Sequence, residues 1–212
     1  MTNKVTRILI LSDFFLFFAF GLLSPIFAVF VLDNISGSSL SVIGMAATFY
    51  WIARVTLVVP FSRFMDKIKG ERDEFFSMLA GTFFMSIIPL FYLISSAPWH
   101  IYLIQFLMGA ANSLAVPAWR ILFTNHVSKR RVGYEWSLED VAVGVATATS
   151  ATVGALIAER MGFHFLFGMI AIIGVSGSAV LLLLQKDKKI FSKFIEEENR
   201  RAKAPLKVDG IK

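Results

Sequence analysis

The chain has 212 residues, 56% hydrophobic and only 17% charged, with 22 phenylalanines, no cysteine and a formal net charge of +6. A soluble domain of this length could not bury so much apolar surface, and a mean hydropathy of +0.68 places the chain in a bilayer. Without cysteine it can form no disulfide, thiolate metal site or cysteine nucleophile.

A helix needs about 20 apolar residues to cross the hydrocarbon core. Six runs reach that length, roughly 8–32, 40–60, 75–95, 99–122, 136–158 and 162–184. The expected fold is therefore an all-α membrane protein of six transmembrane helices over residues 1–184, followed by a charged tail, 185–212. The first run contains FLFFAFGLLSPIFAVFVL; it is too long for a signal peptide, has no small-residue cleavage site and is followed by five more spans. It carries Asp13 near its start and Gly21 and Pro25 near its middle. The fourth run carries Gly109 and Pro117. Interrupted segments at matching places in two halves point to an inverted-repeat transporter with its site near the midplane, so these four residues are the expected helix breaks of a 3+3 inverted-repeat bundle. Pro89 in the third run also interrupts its segment. The tail places Ile190, Phe191, Phe194 and Ile195 on one helical face, which suits either an interfacial helix on anionic lipid or a solvated end.

The pI of about 9.7 could suggest nucleic acid, but the basic residues are distributed by side of the membrane. Lys4 and Arg7, then Arg63, Lys67, Lys69 and Arg72, then Lys129, Arg130 and Arg131, and nine residues of the tail fall on one side. Arg160 falls alone on the other. By the positive-inside rule both termini are expected to be cytoplasmic and every copy to insert the same way; without targeting features in the sequence, a multi-pass protein of the cytoplasmic membrane is expected. No compact basic domain is present to bind nucleic acid.

The order GLLSPIFAVFV, YWIARVTLVVPFSRFMDKIKGERDEF, IYLIQFLMGAANSLAVPAW, VGALIAERMGFHFLF resembles the amino-terminal six-helix half of the major facilitator superfamily of secondary transporters. The loop after the second run keeps an aspartate, Asp66, and a basic neighbour, Lys67, with Ser62 in place of the usual first glycine and Gly70 one residue late. In the fourth run the family's arginine position is Gln105, ahead of Gly109. The fifth-run pattern is reduced to Thr149, Ser150, Ala151, Thr152, Val153 and Gly154. The resemblance implies alternating access, and because the family has two six-helix halves facing across a cavity, it implies a homodimer here. A non-transporting accessory subunit, or half of a heterodimer, is the alternative. It also implies a cytoplasmic latch from Asp66, Arg120 and Glu139 or Asp140; equally, Glu135, Glu139 and Asp140 would suit a first helical turn by the helix dipole alone.

Within the spans, Asp13 and Arg54 are counted to similar depth, where they would form an ion pair or serve a gate, and Asp13 is the first candidate for proton coupling. Phe20, Ser24, Tyr50, Trp51, Gln105, Asn112 and Thr147 to Ser150 are the expected midplane lining, with Asn112 the leading contact; Asn and Gln can also simply bond across helices. With no charge counted to that depth, the expected solute is small and neutral or amphipathic. Gly144, Ala148, Ala151 or Thr152, and Ala155 form a small-residue stripe expected to pack against the second helix or another neighbour. His100, His126 and His164 are scattered, no metal-ligand or phosphate-cradling spacing occurs, and no Gly-x-Ser-x-Gly elbow is present, so neither an enzyme nor a cofactor is expected.

Overall fold

A computed structural model describes residues 3–67 and 71–186. Residues 187–212, and with them most of the tail and its apolar face, lie outside the described residues, as do Lys69 and Gly70. Among the described residues every regular element is helical.

Helix α1, Lys4–Leu23, starts with the Asn3 side chain accepting from the Val5 amide. At Pro25 the chain tightens into a 3-10 turn, Ser24–Ile26, and resumes as α2, Phe27–Asn34. Gly37, with φ 74, turns it back into α3, Leu40–Lys67. Helix α4, Arg72–Ile87, passes at Pro89 into a 3-10 stretch, Ile88–Ile94. Helix α5, Pro98–His126, and α6, Val132–Leu181, complete the bundle, with a last 3-10 turn at Leu182–Lys186. Among the described residues five helical stretches are long and apolar enough to cross a membrane, Lys4–Asn34, Leu40–Lys67, Arg72–Ile94, Pro98–His126 and Val132–Gln185.

The last of these is 54 residues long, which at 1.5 Å per residue would be about 80 Å if straight, far beyond a hydrocarbon core of about 30 Å. It does not run straight. Gly162 has φ 80 and ψ 168, a backbone region almost closed to other residues. Before it, Gly154 packs on Leu22 and Ser150 on Gly21. After it, Phe167 lies 4.9 Å from Phe30, and Ser12 Oγ donates to the Gly177 carbonyl at 3.0 Å. The arm before Gly162 thus follows α1 in the same direction and the arm after it runs back.

Three of the expected breaks, Gly109, Pro117 and Gly21, are not breaks. Helix α5 passes Gly109 and Pro117 without interruption; Pro117 removes one backbone donor, a loss that membrane helices absorb when neighbours support them. Gly109 serves close approach, lying against the Tyr50 carbonyl and Ala53 of α3. Gly21 likewise sits inside continuous α1, where a side chain would strike Ser150. Helical geometry gives way to 3-10 turns at Pro25 and at Pro89.

Two apolar clusters hold the bundle at its ends. At the end where α1 begins, here the proximal end, Val5, Leu9, Phe75, Met78, Leu122 and Phe123 are fully buried together. At the distal end Phe30, Tyr92, Leu166 and Phe167 are buried, with Phe163 packed against them. The cavity lies between the two.

Candidate functional site

The cavity has a volume of about 620 Å³ and takes side chains from five helices. Along α1 and into the 3-10 turn that follows it, the lining residues include Asp13, Phe17, Phe20 and Ser24, spaced four, three and four apart, which is one face of a helix. On α5 they are Gln105, Met108, Asn112, Val116 and Trp119, in the same rhythm. Tyr50 comes from α3, Thr82 and Met85 from α4, and Trp136 and Glu139 from the first arm of α6. Polarity is graded along it: Asp13, Arg120 and Glu139 stand toward the proximal end, while Tyr50, Gln105 and Asn112 occupy the middle.

Two buried polar atoms on its wall have no hydrogen-bond partner, Asn112 Oδ1 and Trp119 Nε1. Asn112 is 8% exposed and its amide nitrogen reaches only the Met85 sulfur, at 3.9 Å. An unpaired buried acceptor costs about 1–3 kcal/mol, so this wall offers an acceptor and a donor to whatever enters.

Phe20, Ser24, Tyr50, Gln105 and Asn112 therefore lie together on the cavity, as do Asp13, Arg120 and Glu139. Others do not. Thr147 is exposed on α6 outside the lining, and Ser150 is fully buried in the α1–α6 seam, its Oγ donating to the Thr147 carbonyl at 3.2 Å. Trp51 is 56% exposed on the outer side of α3. Arg54 does not pair with Asp13: its Nη1 donates to Tyr50 Oη at 3.2 Å and its guanidinium lies 5.3 Å from the Trp51 ring. Asp66 and Asp140 are exposed, and among the described residues neither they nor Arg120 and Glu139 form an ion pair.

The proximal helix ends are tied by other groups. Glu71 meets His126 at 3.4 Å and accepts from Asn125 at 3.0 Å, while the His126 carbonyl accepts from Asn3 and Thr6. Glu135, 1% exposed, turns back to accept the Ser128 amide at 3.2 Å. Sequence reasoning missed this cluster because its members come from helix ends far apart in the chain. It also missed Met108, Trp119 and Phe17, which the three- and four-residue rhythm from Gln105, Asn112, Asp13 and Phe20 would have reached. Among the described residues the Gly144 stripe is largely uncovered: Gly144 has open space where a side chain would start, Ala148, Thr152 and Ala155 are exposed, and Ala151 is half-buried. Among the described residues no three His, Asp or Glu side chains gather as a metal site.

A helical membrane bundle with a largely apolar cavity between its helices, carrying a few polar groups on its wall, is an architecture that transporters use. Residues 9–208 match the Major Facilitator Superfamily, and the chain belongs to that superfamily. It is 26% identical over 156 residues to the multidrug resistance protein MdtG of Salmonella schwarzengrund (strain CVM19633), a match covering 70% of this chain and 36% of the relative. MdtG of Salmonella arizonae (strain ATCC BAA-731 / CDC346-86 / RSK2980) matches with the same identity and coverage. The chain thus spans about a third of the length of these curated relatives. Its fold is similar to that of the POT family transporter PepTSo, with a TM-score of 0.72 at 11% identity over 88% of this chain and 38% of that one.

Proposed function

We propose that the chain is a six-helix half of a secondary transporter working by alternating access, with a second copy supplying the facing wall of its cavity. The observation that carries this is the cavity itself: five helices contribute to it, and it holds polar groups with no partner inside the bundle. Opposite directions of the two arms of α6 about Gly162 support six antiparallel spans arranged as a 3+3 inverted repeat. Clustering of Lys4, Arg7, Arg63, Lys67 and Lys129 to Arg131 at the proximal end, against Arg160 at the other, supports a cytoplasmic proximal end in the cytoplasmic membrane.

The solute of this reading is small and amphipathic. Phe17, Phe20, Met85 and Met108 give the cavity apolar walls, and the relatives' name, multidrug resistance protein, fits such a lining. Asp13 is the candidate for proton coupling, and Asp13, Arg120 and Glu139 form a polar layer at the proximal mouth.

Three measurements test this. Native mass spectrometry in nanodiscs is expected to give a dimer. Because the chain has no cysteine, Ala148→Cys alone is expected to cross-link between copies under mild oxidation. Counterflow in proteoliposomes of 1-naphthylacetate, 1-naphthylacetamide or 1-naphthylmethylammonium is expected for at least one of the three. A monomer without counterflow would overturn the reading in favour of an accessory subunit; a monomer that needs an added partner for counterflow would make it half of a heterodimer.

A further inference from the structure

Counting residues along the sequence leaves the middle of the cavity uncharged, yet the structure ties a charged side chain to a hydroxyl on its wall. Arg54 lies near the midpoint of the 28-residue α3. Side chains on a helix lean toward its N-terminus, which for α3 is the distal end. Arg54 leans that way, its guanidinium reaching back one turn to the Tyr50 hydroxyl and over the Trp51 ring. Tyr50 lines the cavity together with Phe20, Ser24 and Gln105. Asp13, seven residues before Phe20 on α1, is about 10 Å nearer the proximal end at 1.5 Å per residue.

An arginine inside a span is costly, about 2.5–3.5 kcal/mol even on insertion scales, and such residues mark function or a buried partner. No carboxylate among the described residues stands at ion-pair distance from Arg54. The Trp51 face offsets part of the cost. Of the five N–H donors of the guanidinium, one holds Tyr50. That hydroxyl accepts from Arg54 and keeps its own proton to donate from the cavity wall. A cation beside a polarised hydroxyl donor is the arrangement that recognises a carboxylate.

We propose that Tyr50 and Arg54 form a subsite for the anionic headgroup of the transported solute, of the carboxylate class, with its apolar body against Phe17, Phe20 and Met108. This rests on the cavity being the transport site, and deepens it from an amphipathic solute to an organic anion. Acidic groups do not oppose it at that level: Asp13 and Glu139 line the proximal part, beside Arg120.

The test is equilibrium binding to the full chain in nanodiscs, by calorimetry, of three probes with one aromatic body: 1-naphthylacetate, 1-naphthylacetamide and 1-naphthylmethylammonium. The acetate is expected to bind about tenfold more tightly than the acetamide, the scale of one charge-assisted hydrogen bond. Arg54→Gln is expected to bring that ratio to about one while leaving acetamide affinity within about twofold, and Arg54→Lys to keep part of the preference. Should Arg54→Gln fail to fold, Tyr50→Phe, which leaves the guanidinium in place, is expected to cut the ratio at least about threefold. Equal affinity for acetate and acetamide in the native chain, or a preference that survives these changes, overturns the subsite. Binding and counterflow of the acetamide or ammonium alone refute the anion subsite and leave the transport reading standing; binding of none refutes the subsite as well.

Discussion

The first arm of α6 carries two rows of small residues, and they meet opposite fates. On one side Ser150 and Gly154 are fully enclosed against Gly21 and Leu22 of α1; past the reversal Gly177 closes on Phe15 of α1 and Gly174 on Ser86 of α4. On the other side Gly144 has nothing near it, and Ala148, Thr152 and Ala155 are exposed. Both rows have the three- and four-residue spacing that lets membrane helices approach. Spacing therefore identifies surfaces built for close packing but not who packs on them. The filled row belongs to the fold, and the bare one is available to a partner.

Gly154→Val should separate the rows most sharply. The added side chain would strike the Leu22 backbone, which cannot move without displacing α1. The expected result is loss of folded protein, seen as aggregation on size exclusion in detergent, because overpacking against a backbone exceeds the usual cost of about 1–3 kcal/mol. Next comes Gly162→Ala. Nothing surrounds Gly162 within contact distance, so any effect must come from its φ of 80. About 1–3 kcal/mol of destabilisation is expected in an SDS unfolding titration; no change would mean the reversal tolerates another backbone path.

Gly144→Leu probes the bare row. Monomer stability should shift by less than about 0.5 kcal/mol, the usual range for an uncovered surface, while the dimer expected in nanodiscs should dissociate. A destabilised monomer would show instead that the row is covered within the chain. Ser12→Ala removes the bond to the Gly177 carbonyl inside the filled seam. The expected loss is about 0.6 kcal/mol, the average for side-chain hydrogen bonds between membrane helices, again by SDS titration.

The sequence made the bilayer, the family and much of the cavity legible, because apolar run length and residue chemistry are local properties. Asp13, Phe20, Ser24, Tyr50, Gln105 and Asn112 could be picked from polar or aromatic character within greasy runs. Distances between helices were not local. Arg54 and Asp13 count to similar depth along their axes, but an arginine side chain reaches a full turn back along its helix, which takes it away from Asp13 and toward Tyr50. Ser150 was polar at the right depth yet on the face turned to α1. Pro117 and Pro89 read alike as breakers; α5 continues through the first, while α4 gives way to a 3-10 stretch at the second. The tie among Glu71, Asn125 and His126 joins ends of different helices and has no signature in any one segment.

The smallest expected effect concerns Gly44, on the distal half of α3. It is helical and, like Gly144, has no neighbour within contact distance. Glycine costs a helix roughly 0.5–1 kcal/mol relative to alanine through backbone entropy, but in a bilayer the unfolded reference is already helical because unpaired backbone groups are not tolerated there. Gly44→Ala should therefore stabilise the chain by less than about 0.5 kcal/mol, by that reduction of the propensity term. If the monomer in detergent gains this small increment while the dimer in nanodiscs loses stability, the distal part of α3 lies under the second copy, and the interface extends from the Gly144 row across the mouth of the cavity. If both gain equally, α3 faces lipid at that level and the second copy meets the chain through α6 alone.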